Sequence, residues 1–254
     1  MRKEGDERRD WIDFVFRRWF IVHNFCRSQK INSFWHFDSD NMVLSDLSTH
    51  EVKFKDFDCT EQCGGSCMNG FISNLNVVTG YISKINEIFQ RTEYLDNLQK
   101  EFDEEHPTYA FTEMRAYRIY KSESKIKTTR LASIIDNSSF DDCICSADDM
   151  ETEKLPSGTV IKKVHLSNSG FFWKTQTGDY VKANSINLSW VPAYFFEATY
   201  KHLLKVKRSN AEASHTSTFT TTLSQAFPLT QMKYRLSDFA RTTFTRILRR
   251  LKIA

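Results

Sequence analysis

The chain has 254 residues, 40% hydrophobic and 14% aromatic, enough apolar material for a packed core, which excludes global disorder. No apolar run approaches the ~18 residues of a membrane-spanning helix, and the charged start, Met1 to Asp10, has no signal-peptide core, so the expectation is a soluble, cytoplasmic protein. The net charge of +3 is unevenly spread: residues 201–254 carry eleven Lys/Arg against two Asp/Glu, a local charge of +9 that leaves −6 on the rest.

Residues 10–28 read as an amphipathic helix, with Asp10 as N-cap and a core-facing stripe of Trp11, Phe14, Val15, Trp19, Val22 and Cys26. Arg17 and Arg18 sit mid-helix, solvated or with one of them turned toward a phosphate. An apolar strand from Phe34 then runs into Asp38-Ser39-Asp40 and turns apolar again at Met42-Val43-Leu44. On a strand, alternate side chains share a face, so Asp38 and Asp40 point the same way. Two such carboxylates repel unless a cation joins them, and an all-oxygen pair suits Mg2+ or Mn2+. Taken alone, Asp-x-Asp equally describes an acidic turn that closes a strand.

A turn at Ser45–His50 leads to Val52–Phe57, whose alternation predicts a strand. A Gly-containing loop, Cys59 to Cys67, delivers the chain to Met68-Asn69-Gly70-Phe71, where Gly70 either opens the backbone to a ligand or makes an ordinary turn into a strand. Residues 76–91 and 92–104 are helical by periodicity, and Pro107 breaks the pattern. Thr112 caps a helix that begins Glu113-Met114 and runs through Tyr117 and Tyr120. Residues 133–157, with Asp141-Asp142 and Asp148-Asp149, read as a solvated acidic loop. A β-meander follows: Val160–Leu166, Phe171–Lys174 and Tyr180–Leu188. A helix starts at Tyr194, a Ser/Thr-rich linker covers 205–230, and 231–254 form a basic amphipathic helix that reads as a plain solvated C-terminal helix or as one suited to a membrane surface or a docking partner.

Six cysteines are present, and free thiols are expected in a cytosolic chain. The run Cys59-x3-Cys63-x3-Cys67 lacks the distant second pair of a structural zinc site, and a disulfide within the loop is the other reading.

The segment Phe34-Trp35-His36-Phe37-Asp38-Ser39-Asp40, followed by Asn69-Gly70-Phe71, then Glu113-Met114 and the late meander, resembles the GT-A-fold glycosyltransferases that use nucleotide sugars. That resemblance covers roughly 10–204. It implies an α/β fold: a GT-A-like (Rossmann-like) mixed sheet flanked by helices, with a small C-terminal β-meander and the basic tail helix. It further implies metal binding by Asp38 and Asp40 through Mn2+ or Mg2+, substrate binding by Asp38, Asn69 and Gly70, and Glu113 as the catalytic carboxylate. A nucleotide-diphosphate sugar would be the donor and a sugar, lipid or protein the acceptor, with peripheral membrane contact through the tail. Nucleic acid is not expected as a partner.

Two departures stand against the pattern. The family's His, Gly and Lys after the last strand are replaced by Leu188-Ser189-Trp190-Val191-Pro192-Ala193, with Lys201 and His202 further on. Only 37 residues precede Asp38, too few for the nucleoside-binding βαβ units, each of ~30 residues or more, so a longer native chain is expected. The alternative is an inactive remnant acting as a binding module through its basic tail.

Overall fold

A computed structural model describes residues 6–105, 111–209 and 219–226. In chain order the elements are α1 (Asp6–Ser28), β1 (Phe34–His36), β2 (Asn41–Val43), α2 (Glu51–Phe54), β3 (Cys59–Gln62), β4 (Cys67–Ile72), α3 (Leu75–Gln90), α4 (Thr92–Glu105), α5 (Glu113–Glu123) and β5 (Thr128–Arg130). They continue with β6 (Ser138–Ser139), β7 (Thr152–Lys154), β8 (Val160–Lys162), β9 (His165–Ser167), β10 (Gly170–Lys174), β11 (Tyr180–Ala183), β12 (Ser185–Asn187), α6 (Tyr194–Ser209) and β13 (Phe219–Thr222). The class is mixed α/β, with several separate sheets. The chain divides into two compact units, one from residues 1–38 and 46–133, the other from 39–45 and 134–254.

The first unit is built on a four-stranded mixed sheet in the order β1-β4-β3-β5, in which only the β3–β5 pairing is parallel. α1, α3 and α5 cover it through a core that includes Trp19, Met68, Ile72, Tyr81 and Tyr117. α3 starts where Asn74 caps the Asn76 amide, and it buries Val77, Val78, Tyr81, Ile85 and Ile88. Its Val, Thr and Gly residues cost about 0.5–1 kcal/mol each as helix formers. Burial of each large apolar side chain returns about 1.5–3 kcal/mol, so packing decides.

Three expectations fail in this unit. Val52–Phe57 is not a strand: Asp46 caps the Ser48 amide and starts a helical turn that continues into α2. Phe54 is the one fully buried anchor there, its ring edge-on to Trp35, so the V-K-F alternation is overridden. The expected Cys59–Cys67 loop is instead a hairpin of two wholly buried strands, β3 and β4, and β3 is stabilised by partners on both sides. In α1, which starts at Asp6 rather than Asp10, Val15, Phe16, Trp19 and Cys26 face inward, while Trp11 and Phe14 are exposed.

The second unit contains the meander, as expected, with β9, β10 and β11 antiparallel in sequence. The longer strands are broken, however. Val160–Leu166 splits into β8 and β9, and Tyr180–Leu188 splits into β11 and β12, the latter pairing with β2. The segment expected as a linker supplies β13, which pairs with β9 and brings the buried Leu223. The acidic stretch is solvated only in part: Asp148 and Asp149 are exposed, but Asp142 is buried and Asp141 is fully buried. Lys162 donates to it at 2.6 Å and to Asp148 at 2.7 Å, while the Asn187 amide donates to its second oxygen at 2.9 Å. A charge at that depth persists because both oxygens are paired. The tail over 231–254 lies outside the described residues. Among the described residues no helix is long and apolar enough to cross a membrane.

Candidate functional site

β1 ends at His36, so Asp38 and Asp40 do not share a strand face as the sequence suggests. They lie in the segment leading into β2, and the boundary between the two units falls between them.

In the first unit, Asp38 joins a relay of polar groups drawn from distant parts of the chain. Arg18 on α1 bonds Asp38 Oδ1 through Nη1, and Glu113 Oε1 through Nη2 at 3.0 Å. Asn69 on β4 donates its amide to Asp38 Oδ2 at 3.3 Å. Its Oδ1 lies 2.9 Å from His36 Nδ1. With the amide nitrogen committed to Asp38, His36 must donate from Nδ1, which fixes its tautomer. Burial lowers the His36 pKa, so the ring is neutral near pH 7. Its ring centroid lies 4.8 Å from that of Trp19.

Glu113 opens α5, as read from the sequence, although the Thr112 hydroxyl makes no capping bond. Tyr81 on α3 donates to the Glu113 carbonyl at 2.5 Å, pinning that first turn. The Glu113 side chain is nearly buried, and its Oε2 has no hydrogen-bond partner among the described residues. Burial pushes its carboxyl above the ordinary range, and Arg18 pulls it only part of the way back. Desolvation thus outweighs one guanidinium. The cleft beside it, lined by Arg18, Cys67, Tyr81, Glu113 and Met114, has no room even for a water molecule, against the several hundred Å3 of a usual ligand pocket.

Gly70 has a reason inside the core. Its φ is +93°, and a Cβ there would come within 2.3 Å of Thr60 Oγ1 and 2.8 Å of Leu131. The absent side chain makes room for packing between strands.

In the second unit, Asp40 is held from the segment after β12. Its Oδ2 accepts from the Ser189 hydroxyl at 2.5 Å, and its carbonyl accepts from the Leu188 amide at 2.8 Å. Lys201 pairs with Glu197 on its own helix, and His202 is buried, with Nε2 2.9 Å from the Ser167 carbonyl.

The structure therefore gathers Asp38, Asn69 and Glu113 into one cluster and holds Asp40 beside Ser189. Arg18, which the sequence offered only as one of two mid-helix arginines, and His36, to which it gave no role, complete the first group. The only signal for Arg18 was an arginine among apolar neighbours at helical spacing.

Two carboxylates offer the oxygen donors a hard divalent ion takes. At Asp38 such an ion competes with Arg18, which already neutralises Oδ1. Among the described residues no group of three or more His, Cys, Asp or Glu side chains is arranged to hold a metal ion. Comparison with protein-family models, with curated proteins and with solved structures finds no significant match.

Proposed function

We propose that the chain is a GT-A-type glycosyltransferase that moves a sugar from a nucleotide-diphosphate donor to an acceptor hydroxyl, on a sugar, a lipid or a protein. What supports this reading is the meeting of Asp38, Asn69 and Glu113. The sequence resemblance named these three residues from separate stretches, and tertiary contacts through Arg18 link them.

In this reading Asp38 and Asp40 hold Mn2+ or Mg2+. The ion supplies Lewis-acid stabilisation to the leaving diphosphate. Asn69, buried and held by His36 and Asp38 at once, would exchange one of these bonds for a sugar hydroxyl. Glu113, pushed up by burial, keeps a proton to higher pH than an exposed carboxyl, and its Oε2 is buried, so a substrate hydroxyl reaches it only when the contact with Arg18 opens. The basic tail would bring the protein to an anionic membrane surface.

A binding module without turnover has one observation in its favour: Arg18 already satisfies both Asp38 and Glu113. The two readings separate in one assay. A panel of nucleotide sugars is incubated with the full chain, with and without Mn2+, and release of nucleoside diphosphate is measured. The transferase reading expects metal-dependent release that falls at least ~100-fold in Asp38→Asn and Asp40→Ala, about the loss expected when charge stabilisation of a transition state is removed. Release that ignores both chelation and the two substitutions refutes it.

A further inference from the structure

The turn that joins β3 to β4 carries a pair of thiols with unlike surroundings. The strands pair Gln62 with Cys67, so Cys63 is the first residue of the turn and sits next to the strand end that holds Cys67. Cys63, Gly64 and Gly65 all have positive φ, +52°, +67° and +83°. The Ser66 amide donates back to the Cys63 carbonyl at 3.2 Å. This tight curl brings Cys63 back beside Cys67. Cys63 is exposed, whereas Cys67 is buried. Behind Cys67 lies the candidate site: Asn69 Nδ2 is 3.6 Å from Cys67 Sγ and donates to Asp38 Oδ2 as well.

We propose that Cys63 and Cys67 are a redox-active dithiol, a modification site that closes to a disulfide on reaction with a low-molecular-weight disulfide such as oxidised glutathione. The exposed Cys63 reacts first. Its thiolate attacks one sulfur of the external disulfide, forming a mixed disulfide and expelling one small thiolate. Cys67 then loses its proton and attacks Cys63 Sγ, forming the internal bond and expelling the second small thiolate. The protein gives up two protons and two electrons, and the external disulfide is reduced to two thiols.

The order follows from access. Cys67 is shielded, and the neighbouring Cys63 together with burial holds its thiol well above the ordinary range. Cys59 takes no part, since it is buried against the Tyr117 hydroxyl and its thiol is pushed up to about 12. Closing the bond also removes the thiol on which the Asn69 amide rests, so oxidation is felt at the Asn69–Asp38 contact. The proposal stands apart from the glycosyltransferase reading, because its test needs no sugar donor.

The test equilibrates the reduced full chain against a series of reduced-to-oxidised glutathione ratios. Free thiols are trapped with a maleimide, and fragmentation mass spectrometry assigns each cysteine. The expected result is an internal Cys63–Cys67 bond with Cys59 alkylated. Cys67→Ser should stop at a glutathione adduct on Cys63, and Cys63→Ser should leave Cys67 alkylated. The same series in urea supplies a reference. The native fold should favour closure by at least ~10-fold over the unfolded chain, a shift of about 30 mV for two electrons. The proposal is overturned by a stable glutathione adduct on wild-type Cys63 with Cys67 free, by a bond to Cys59, or by equal closure constants in native buffer and urea.

Discussion

Glu113 is the residue where burial and charge are most directly opposed. Its carboxyl has Arg18 on one oxygen and, among the described residues, no hydrogen-bond partner on the other, and burial raises its pKa from the ordinary 4.5. The folded state therefore keeps the proton longer than the unfolded chain does. That contribution to stability is fully present below the unfolded value and is lost as pH rises through the folded one. Glu113→Gln cannot titrate. As pH is raised from about 4 to about 7, urea unfolding should show wild type losing stability relative to Glu113→Gln. A difference that stays constant across this range would mean that the carboxyl titrates alike in both states. The sequence offered Glu113 as a helix-start carboxylate, but its burial could not be read there. It depends on Arg18, 95 positions away.

At the scale of the element, the β3–β4 hairpin is the largest departure from expectation. A cysteine- and glycine-containing run reads locally as a loop, yet both strands are wholly buried and β3 has partners on both sides. Gly70 is what lets β4 pass Thr60 and Leu131. Gly70→Ala should lower the unfolding free energy by about 3 kcal/mol or more, combining a disfavoured positive φ with a steric overlap. Gly64→Ala, also at positive φ but with no atom within 4 Å of its Cβ, should cost only about 1 kcal/mol. Chemical denaturation of the two variants checks this, and equal losses would remove the packing argument. The Asn69-Gly70 dipeptide was visible in the sequence, but whether the space beside it belongs to a ligand or to the core was not.

At the scale of the whole molecule, the chain leaves the first unit after Asp38, returns at Asp46 and leaves again after Ser133. Each unit therefore needs residues far apart in sequence. In the second, β13 adds a strand to the edge of the meander and buries Leu223 completely. A chain ending at Ala226 should unfold within about 1 kcal/mol of the full chain if the tail is not part of this core. One ending at Ser209 should lose about 3 kcal/mol, because the Leu223 burial goes and the β9 edge loses its partner. Thermal unfolding of the two truncations decides it, and equal stabilities would show that β13 contributes nothing.

By itself the sequence determined the helices α3, α4 and α5, the antiparallel meander and the class. Helical and alternating periodicities are local, and they survive wherever one face is buried. Only the tertiary structure decided the rest. The burial of Asp141 depends on Lys162, the hairpin at Cys59–Ile72 depends on β1 and β5, and the linker gains a strand because β9 has a free edge to fill. It likewise decided that Asp38 and Asp40 fall in different units and that Arg18 turns inward to meet two acids. Pairing partners and burial are set by residues tens of positions away, and no local pattern encodes them.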